Sequence, residues 1–178
     1  MNTALKVLAC VMLTYAGVVG EATASPQHVE PTLTTGLTCW PSQFKTKYRG
    51  DGISQLNVRP PCTFSRGTIA DFGNSHLVFQ QDGNLVIYAL DNPSSVAWYT
   101  GQLFGMYTRI VFQDDGNLVV YNDYDHAAVW SSHTYGACDT DYSKVLTFQK
   151  DGNMVIYCMH SDGVKMYALW SSNTWIRE

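Results

Sequence analysis

His76 to Tyr88 reads HLVFQQDGNLVIY, Arg109 to Tyr121 reads RIVFQDDGNLVVY, and Val145 to Tyr157 reads VLTFQKDGNMVIY. One pattern written three times marks a repeat architecture, in which each copy is a unit that cannot bury its apolar face alone. Trp98, Trp130 and Trp170 follow the three copies in turn, and Trp-Ser-Ser closes the last two units. Apolar residues alternate with others inside each copy, as strands require, and helical periodicity is absent along the chain.

Asp-Gly between two apolar runs signals a hairpin, and two loops are open to it: a two-residue type I′ turn, or a three-residue loop closed by glycine in the left-handed region. Side-chain placement separates them. With the shorter loop, Leu77 and Phe79 would share a face with Asn84 and Tyr88. With the loop Gln81-Asp82-Gly83, Gln80 faces Asn84, and alternation puts Leu77, Phe79, Leu85 and Ile87 on one side. His76, Val78, Gln80, Asn84, Val86 and Tyr88 then lie on the other. The same register turns Ile110, Phe112, Leu118 and Val120 inward in the second copy, and Leu146, Phe148, Met154 and Ile156 inward in the third. It predicts a shared core of these twelve residues, capped by the three tryptophans, in a prism or barrel of threefold pseudosymmetry.

The outward set is specific. A merely solvated face drifts among Lys, Glu, Ser and Thr, whereas here Gln, Asn and Tyr recur at identical offsets beside a loop Asp, around what the alternation reads as an exposed Val. Turn chemistry accounts for Asp and Asn but not for Gln and Tyr. Amide, carboxylate and phenol groups around an apolar patch suit a pyranose, whose hydroxyls donate and accept beside a C–H surface. Outward placement further predicts that Asn84→Ala and Asn117→Ala leave folding nearly intact.

Gln-x-Asp-x-Asn-x-Val-x-Tyr resembles the signature of the monocot mannose-binding, or bulb-type, lectins. It stands complete as Gln80, Asp82, Asn84, Val86, Tyr88; as Gln113, Asp115, Asn117, Val119, Tyr121; and as Gln149, Asp151, Asn153, Val155, Tyr157. The resemblance covers roughly residues 65 to 178. It implies an all-β fold, a β-prism II of three four-stranded antiparallel sheets, and metal-independent mannose binding with one site per repeat and no cofactor. In the family, Asp and Asn contact the axial 2-hydroxyl, Gln the 3-hydroxyl and Tyr the 4-hydroxyl, while Val packs on the ring carbons. Mannose-containing glycans on cell surfaces are the implied partners. Some members exchange C-terminal strands, so a homodimer is open. Met154 in place of Leu, and Cys158 beside Tyr157, single out the third site as the one most exposed to perturbation.

Lys6 followed by the apolar run Val7 to Gly20, and then Ala22-Thr23-Ala24, reads as a signal peptide over residues 1–24, too short to span a bilayer. Secretion, without membrane insertion, is expected. Its removal leaves the net charge at −4 and four cysteines: Cys39, Cys62, Cys138 and Cys158. Four cysteines allow three pairings; locality favours Cys39 with Cys62 and Cys138 with Cys158, each closing a loop worth about 3 kcal/mol of chain entropy. Residues 25–64 have no counterpart in the repeats and read as an N-terminal extension of open role, ahead of a lectin domain over 65–178. Arg49-Gly50-Asp51 within it spells a tripeptide that chance often produces.

Eleven Lys plus Arg against fifteen Asp plus Glu, with no basic block, exclude the electrostatic footprint of a nucleic-acid binder. An enzyme finds no support: GxSxG, HExxH and an isolated acidic pair in an apolar setting are all missing. His126, His133 and His160 read as surface residues, and Asp123 and Asp125 lack a calcium-loop pattern. No Cys/His spacing suggests a metal. The rival is a protein-binding or toxin-like module on the same prism, in which sugar sites are dispensable.

Overall fold

The computed structural model describes residues 37–39, 44–49, 52–89, 95–101, 105, 107–162 and 166–176. The leader read at residues 1–24 lies outside them, as do Gly50 and Asp51 of the Arg-Gly-Asp triplet. Each repeat forms a three-strand meander. The first comprises β6 (Ser75–Phe79), β7 (Leu85–Ala89) and β8 (Ser95–Tyr99); the second β9 (Thr108–Phe112), β10 (Leu118–Asn122) and β11 (Ala128–Ser131); the third β12 (Tyr142–Gln149), β13 (Met154–His160) and β14 (Met166–Ser171).

Register follows the three-residue loop in every copy. Phe79 pairs with Leu85, Phe112 with Leu118 and Phe148 with Met154. Gly83, Gly116 and Gly152 adopt φ of 91°, 87° and 79°, a region that favours glycine. Each loop is closed by a backbone bond from that glycine to the motif glutamine: Gly83 to Gln80 (3.1 Å), Gly116 to Gln113 (2.8 Å) and Gly152 to Gln149 (2.9 Å).

A fourth strand completes each sheet, and all three come from the chain ahead of the repeats. β3 (Gly52–Val58) pairs with β12, β4 (Cys62–Phe64) with β9, and β5 (Gly67–Asp71) with β6. The run from 52 to 71 thus visits the third, second and first sheets in turn, with a cis peptide at Pro60–Pro61 between the first two. Two short edge strands, β1 (Leu37–Thr38) beside β4 and β2 (Phe44–Arg49) beside β3, raise two of the sheets to five strands. All sheets are antiparallel, and the four-stranded unit recurs three times as the β-prism requires. The boundary at residue 65 marks where the family resemblance starts, while the sheets reach back into residues 37–64.

All twelve core residues read from the repeats are buried. Leu56, Val58, Phe64, Ile69, Ala70 and Phe72 join them from the preceding strands, and Phe72 stacks on Phe148 at 5.2 Å. Trp98, Trp130 and Trp170 pack against this core and meet one another edge to face, at 5.5–5.9 Å. Both disulfides pair as locality suggests: Cys39–Cys62 ties the segment bearing β1 to the second sheet, and Cys138–Cys158 ties the loop before β12 to β13.

β14 pairs with β13 of its own chain, and the segment after it runs back over the third loop, where Ile176 donates its N–H to the Asp151 carbonyl at 2.7 Å. Trp98 touches both other tryptophans, and such contacts add about 0.5–1.5 kcal/mol each beyond burial. Trp98→Ala is expected to cost about 2 kcal/mol or more, read as a lower urea midpoint at unchanged slope.

Candidate carbohydrate-binding site

The motif residues assemble the same way three times. The loop aspartate turns back on its own hairpin: Asp82, Asp115 and Asp151 each accept, through Oδ1, the backbone N–H of the motif asparagine at 2.9–3.0 Å. Glutamine and tyrosine, eight residues apart, reach along the outer face to each other. Gln80 donates Nε2–H to the Tyr88 hydroxyl, Gln113 to that of Tyr121 at 2.6 Å, and Gln149 to that of Tyr157 at 3.4 Å. The third pair is the longest of the three. In each case the phenol oxygen accepts, so its proton is free to be donated outward, and the glutamine Oε1 stays available as an acceptor.

Two expectations change at this point. The motif valines are not exposed: Val86, Val119 and Val155 keep only 2–3% of their surface. They sit on inner strands, flanked by neighbours on both sides, and the register places each one between its glutamine and its tyrosine. Valine is therefore the floor of the pocket. The asparagines are buried too, at 4–8% exposure, because the chain after each tryptophan folds over them.

That covering segment is what the sequence reading missed. The Asn117 Oδ1 gathers the hydroxyls of Ser131 and Ser132, both at 3.0 Å, and the N–H of Thr134 at 3.2 Å. Asn153 repeats this with Ser171 (2.9 Å), Ser172 (3.1 Å) and the Thr174 N–H (3.4 Å). Ser132 and Ser172 also accept the N–H of Leu118 and Met154. The recurrence Trp-Ser-Ser-x-Thr, at Trp130–Thr134 and Trp170–Thr174, was the visible signal. His133 and Asn173, at its variable position, take positive φ.

The first copy departs from this. Tyr99 stands where the others have serine, and among the described residues Thr100 alone donates to Asn84 Oδ1, at 3.3 Å. Asn84 instead turns Nδ2–H to Asp82 Oδ2, also at 3.3 Å. That contact sets the amide donor and the second carboxylate oxygen side by side.

Two arginines also adjoin the motifs. Arg66 lies over the Phe79 ring at 4.4 Å and donates to the Gln80 carbonyl and to both oxygens of Thr108, the latter at 3.1 Å. Burial lowers its pKa, with Asp123 and Asp82 pulling the other way. Arg109 pairs with Asp123 and lies over Tyr121 at 4.9 Å. His126 and His133 are exposed, and His160 pairs with Asp162 at 2.9 Å. Among the described residues no group of three or more His, Cys, Asp or Glu could hold a metal ion.

A three-sheet prism with this hairpin geometry is shared with solved structures. The monomeric monocot mannose-binding lectins from Gastrodia elata match at a TM-score of 0.50 and 28% identity, over 69% of this chain and 99% of theirs. The chain belongs to the monocot mannose-binding lectin family. This lectin is also similar to the snowdrop (Galanthus nivalis) agglutinin in complex with methyl-α-D-mannoside, at 31% identity over 58% of this chain and 88% of that one, TM-score 0.44. A lectin from Marasmius oreades matches at 28% identity over 68% and 91%, TM-score 0.49. No family profile and no curated relative matches the sequence.

The hub geometry reverses the expectation for alanine at the motif asparagines of this lectin. Removing Oδ1 strands buried donors, at about 1–3 kcal/mol. Asn117→Ala and Asn153→Ala are expected to lower the unfolding midpoint clearly, and Asn84→Ala less, because its oxygen gathers fewer donors. Urea titration of the three single variants checks the order.

Proposed function

We propose that this lectin is a secreted carbohydrate-binding protein that takes mannose or mannose-rich glycans at up to three sites, one per hairpin, without a metal ion or other cofactor. One observation carries the reading. With Oδ1 held inward, the asparagine can offer a ligand only its Nδ2–H, which lies beside Oδ2 of the loop aspartate; in the first copy the two meet at 3.3 Å, a contact that a sugar hydroxyl would replace. A hydroxyl placed there accepts from one and donates to the other. A phenol proton and a glutamine oxygen wait farther along the face. That set matches vicinal hydroxyls of a pyranose and fits acylation, hydride transfer or phosphoryl transfer poorly, so the protein is read as a binder rather than an enzyme.

The Gastrodia elata proteins are described as mannose-binding, which supports mannose as the sugar. The leader pattern and two disulfides fit export into an oxidising compartment. Four or five hydrogen bonds, each netting about 0.5–1.5 kcal/mol, must offset the lost freedom of the sugar. The expectation is a Kd on the order of millimolar per monosaccharide. Three sites on one rigid prism recover affinity by avidity, about 10² or more on a mannan-coated surface.

Retention on immobilised mannan tests this. The expected result is elution by mannose and not by galactose or a chelator. Elution by the chelator would overturn metal independence, and a folded sample that flows through would overturn the carbohydrate reading. The variant Asp82→Asn/Asp115→Asn/Asp151→Asn keeps an Oδ1 acceptor for each turn and loses the carboxylate oxygen offered to the sugar. Its melting temperature should stay close to that of the parent while mannan retention falls by at least about tenfold, the weight of one charge-assisted hydrogen bond per site.

A further inference from the structure

The second copy ends in a pair of exposed tyrosines, where the third has a more covered cluster of Tyr142 against His160 (5.0 Å) and Tyr167 (5.4 Å). Alternation along β9 continues the outer face of the second site from Gln113 through Val111 and Arg109 to Tyr107. The backbone closes there, with the Asp123 N–H on the Tyr107 carbonyl at 2.8 Å. Tyr107 and Tyr124 are 53% and 72% exposed, and their rings lie 4.6 Å apart at 54°. The neighbouring Tyr107 phenol raises the Tyr124 pKa above its ordinary value, with burial a smaller cause. Positions matching Tyr107 hold Asn74 in the first copy and Ser143 in the third.

Two large aromatic rings left in water, yet fixed, call for an occupant. Fixation comes from below. Thr108, the next residue, is buried and held through both its oxygens by Arg66, and Tyr124 N–H is held by Asn122 Oδ1 at 2.9 Å. Between these rings and the motif pocket lie Arg109, over the Tyr121 ring, and its partner Asp123. The sequence along the face is therefore pocket, phenol, guanidinium, carboxylate, then a pair of bare rings. A pyranose fits such an end: its C–H face stacks on an aromatic ring while its rim hydroxyls meet the charged pair.

We propose that Tyr107 and Tyr124, with Arg109 and Asp123, form a second sugar subsite contiguous with the second motif pocket, so that this copy takes a disaccharide or longer glycan where the other two take a terminal sugar. The inference rests on the mannose reading above. Commitment to a sugar rather than to a protein partner follows from continuity with the pocket and from the polar groups that separate the rings from it. The result is a lectin with one extended site and two short ones.

Backbone amides of the loop glycines report the hairpins separately, so an NMR titration of the full chain with methyl α-mannoside and with α-linked mannobiosides resolves the sites. At Gly116 the best mannobioside should bind about three- to tenfold more tightly than the monosaccharide, the weight of one aromatic stacking contact. Gly83 and Gly152 should show no such gain. Tyr107→Ala/Tyr124→Ala should abolish the gain and leave the monosaccharide Kd at Gly116 unchanged, while Tyr107→Phe/Tyr124→Phe should keep it. A gain equal at all three hairpins, one centred on Gly83 or Gly152, or one that survives the double alanine variant would overturn the subsite while leaving the mannose reading standing. Silence of all three amides toward both sugars would overturn the mannose reading, and the subsite with it.

Discussion

A strand pair cannot slip by one residue without exchanging its two faces, and in this chain that choice is made three times by a glycine in the left-handed region. Everything else is subordinate to it. With the loop one residue shorter, the phenylalanines of the core would share a face with the polar set, and neither a packed centre nor a binding face would exist. The motif aspartate reinforces the turn by capping the N–H two residues on, so a residue proposed to meet the sugar is also one that sets the register. Register and site are specified within the same short stretch, Phe79 to Tyr88 and its two copies.

The core was legible because burial and alternation are both local properties of the hairpin. Leu77, Phe112 or Ile156 need only their neighbours in sequence to declare a face. The fourth strand of each sheet was not legible for the opposite reason. β3, β4 and β5 carry no copy of the repeat; β4 is three residues long, and its alternation cannot be told from chance. Their partners are fixed by the hairpins they cover, so the information lies in the sheets they complete. The extension thereby becomes part of the prism, with Leu56, Val58 and Phe64 fully in its core.

At the site, the polar residues were found by recurrence, but their depth was not. Asparagine on an outward position reads as exposed until the segment that lies over it is known, and that segment follows the next tryptophan, beyond the reach of strand alternation. The serines of Trp-Ser-Ser are short side chains whose worth depends on a buried oxygen about fourteen residues earlier. Valine was read as a surface for the same reason. Once both neighbours are in place it is a floor, and the chemistry of the pocket shifts from a hydrophobic patch with polar edges to a polar rim over a closed base.

The reversed order in which residues 52–71 enter the sheets has a consequence for biosynthesis. A ribosome delivers the outer strand of the third sheet first and its hairpin last; the bond between Asn57 and Thr147 spans 90 residues. Only the first sheet has its members adjacent in the emerging chain. β3 must therefore wait with an unpaired edge while two other meanders are made, and closure of the prism is a late, long-range event. Such contacts slow folding and leave strand edges open to wrong partners while they form. Under the export proposed above, a chain of this topology would reach its final compartment before it folds.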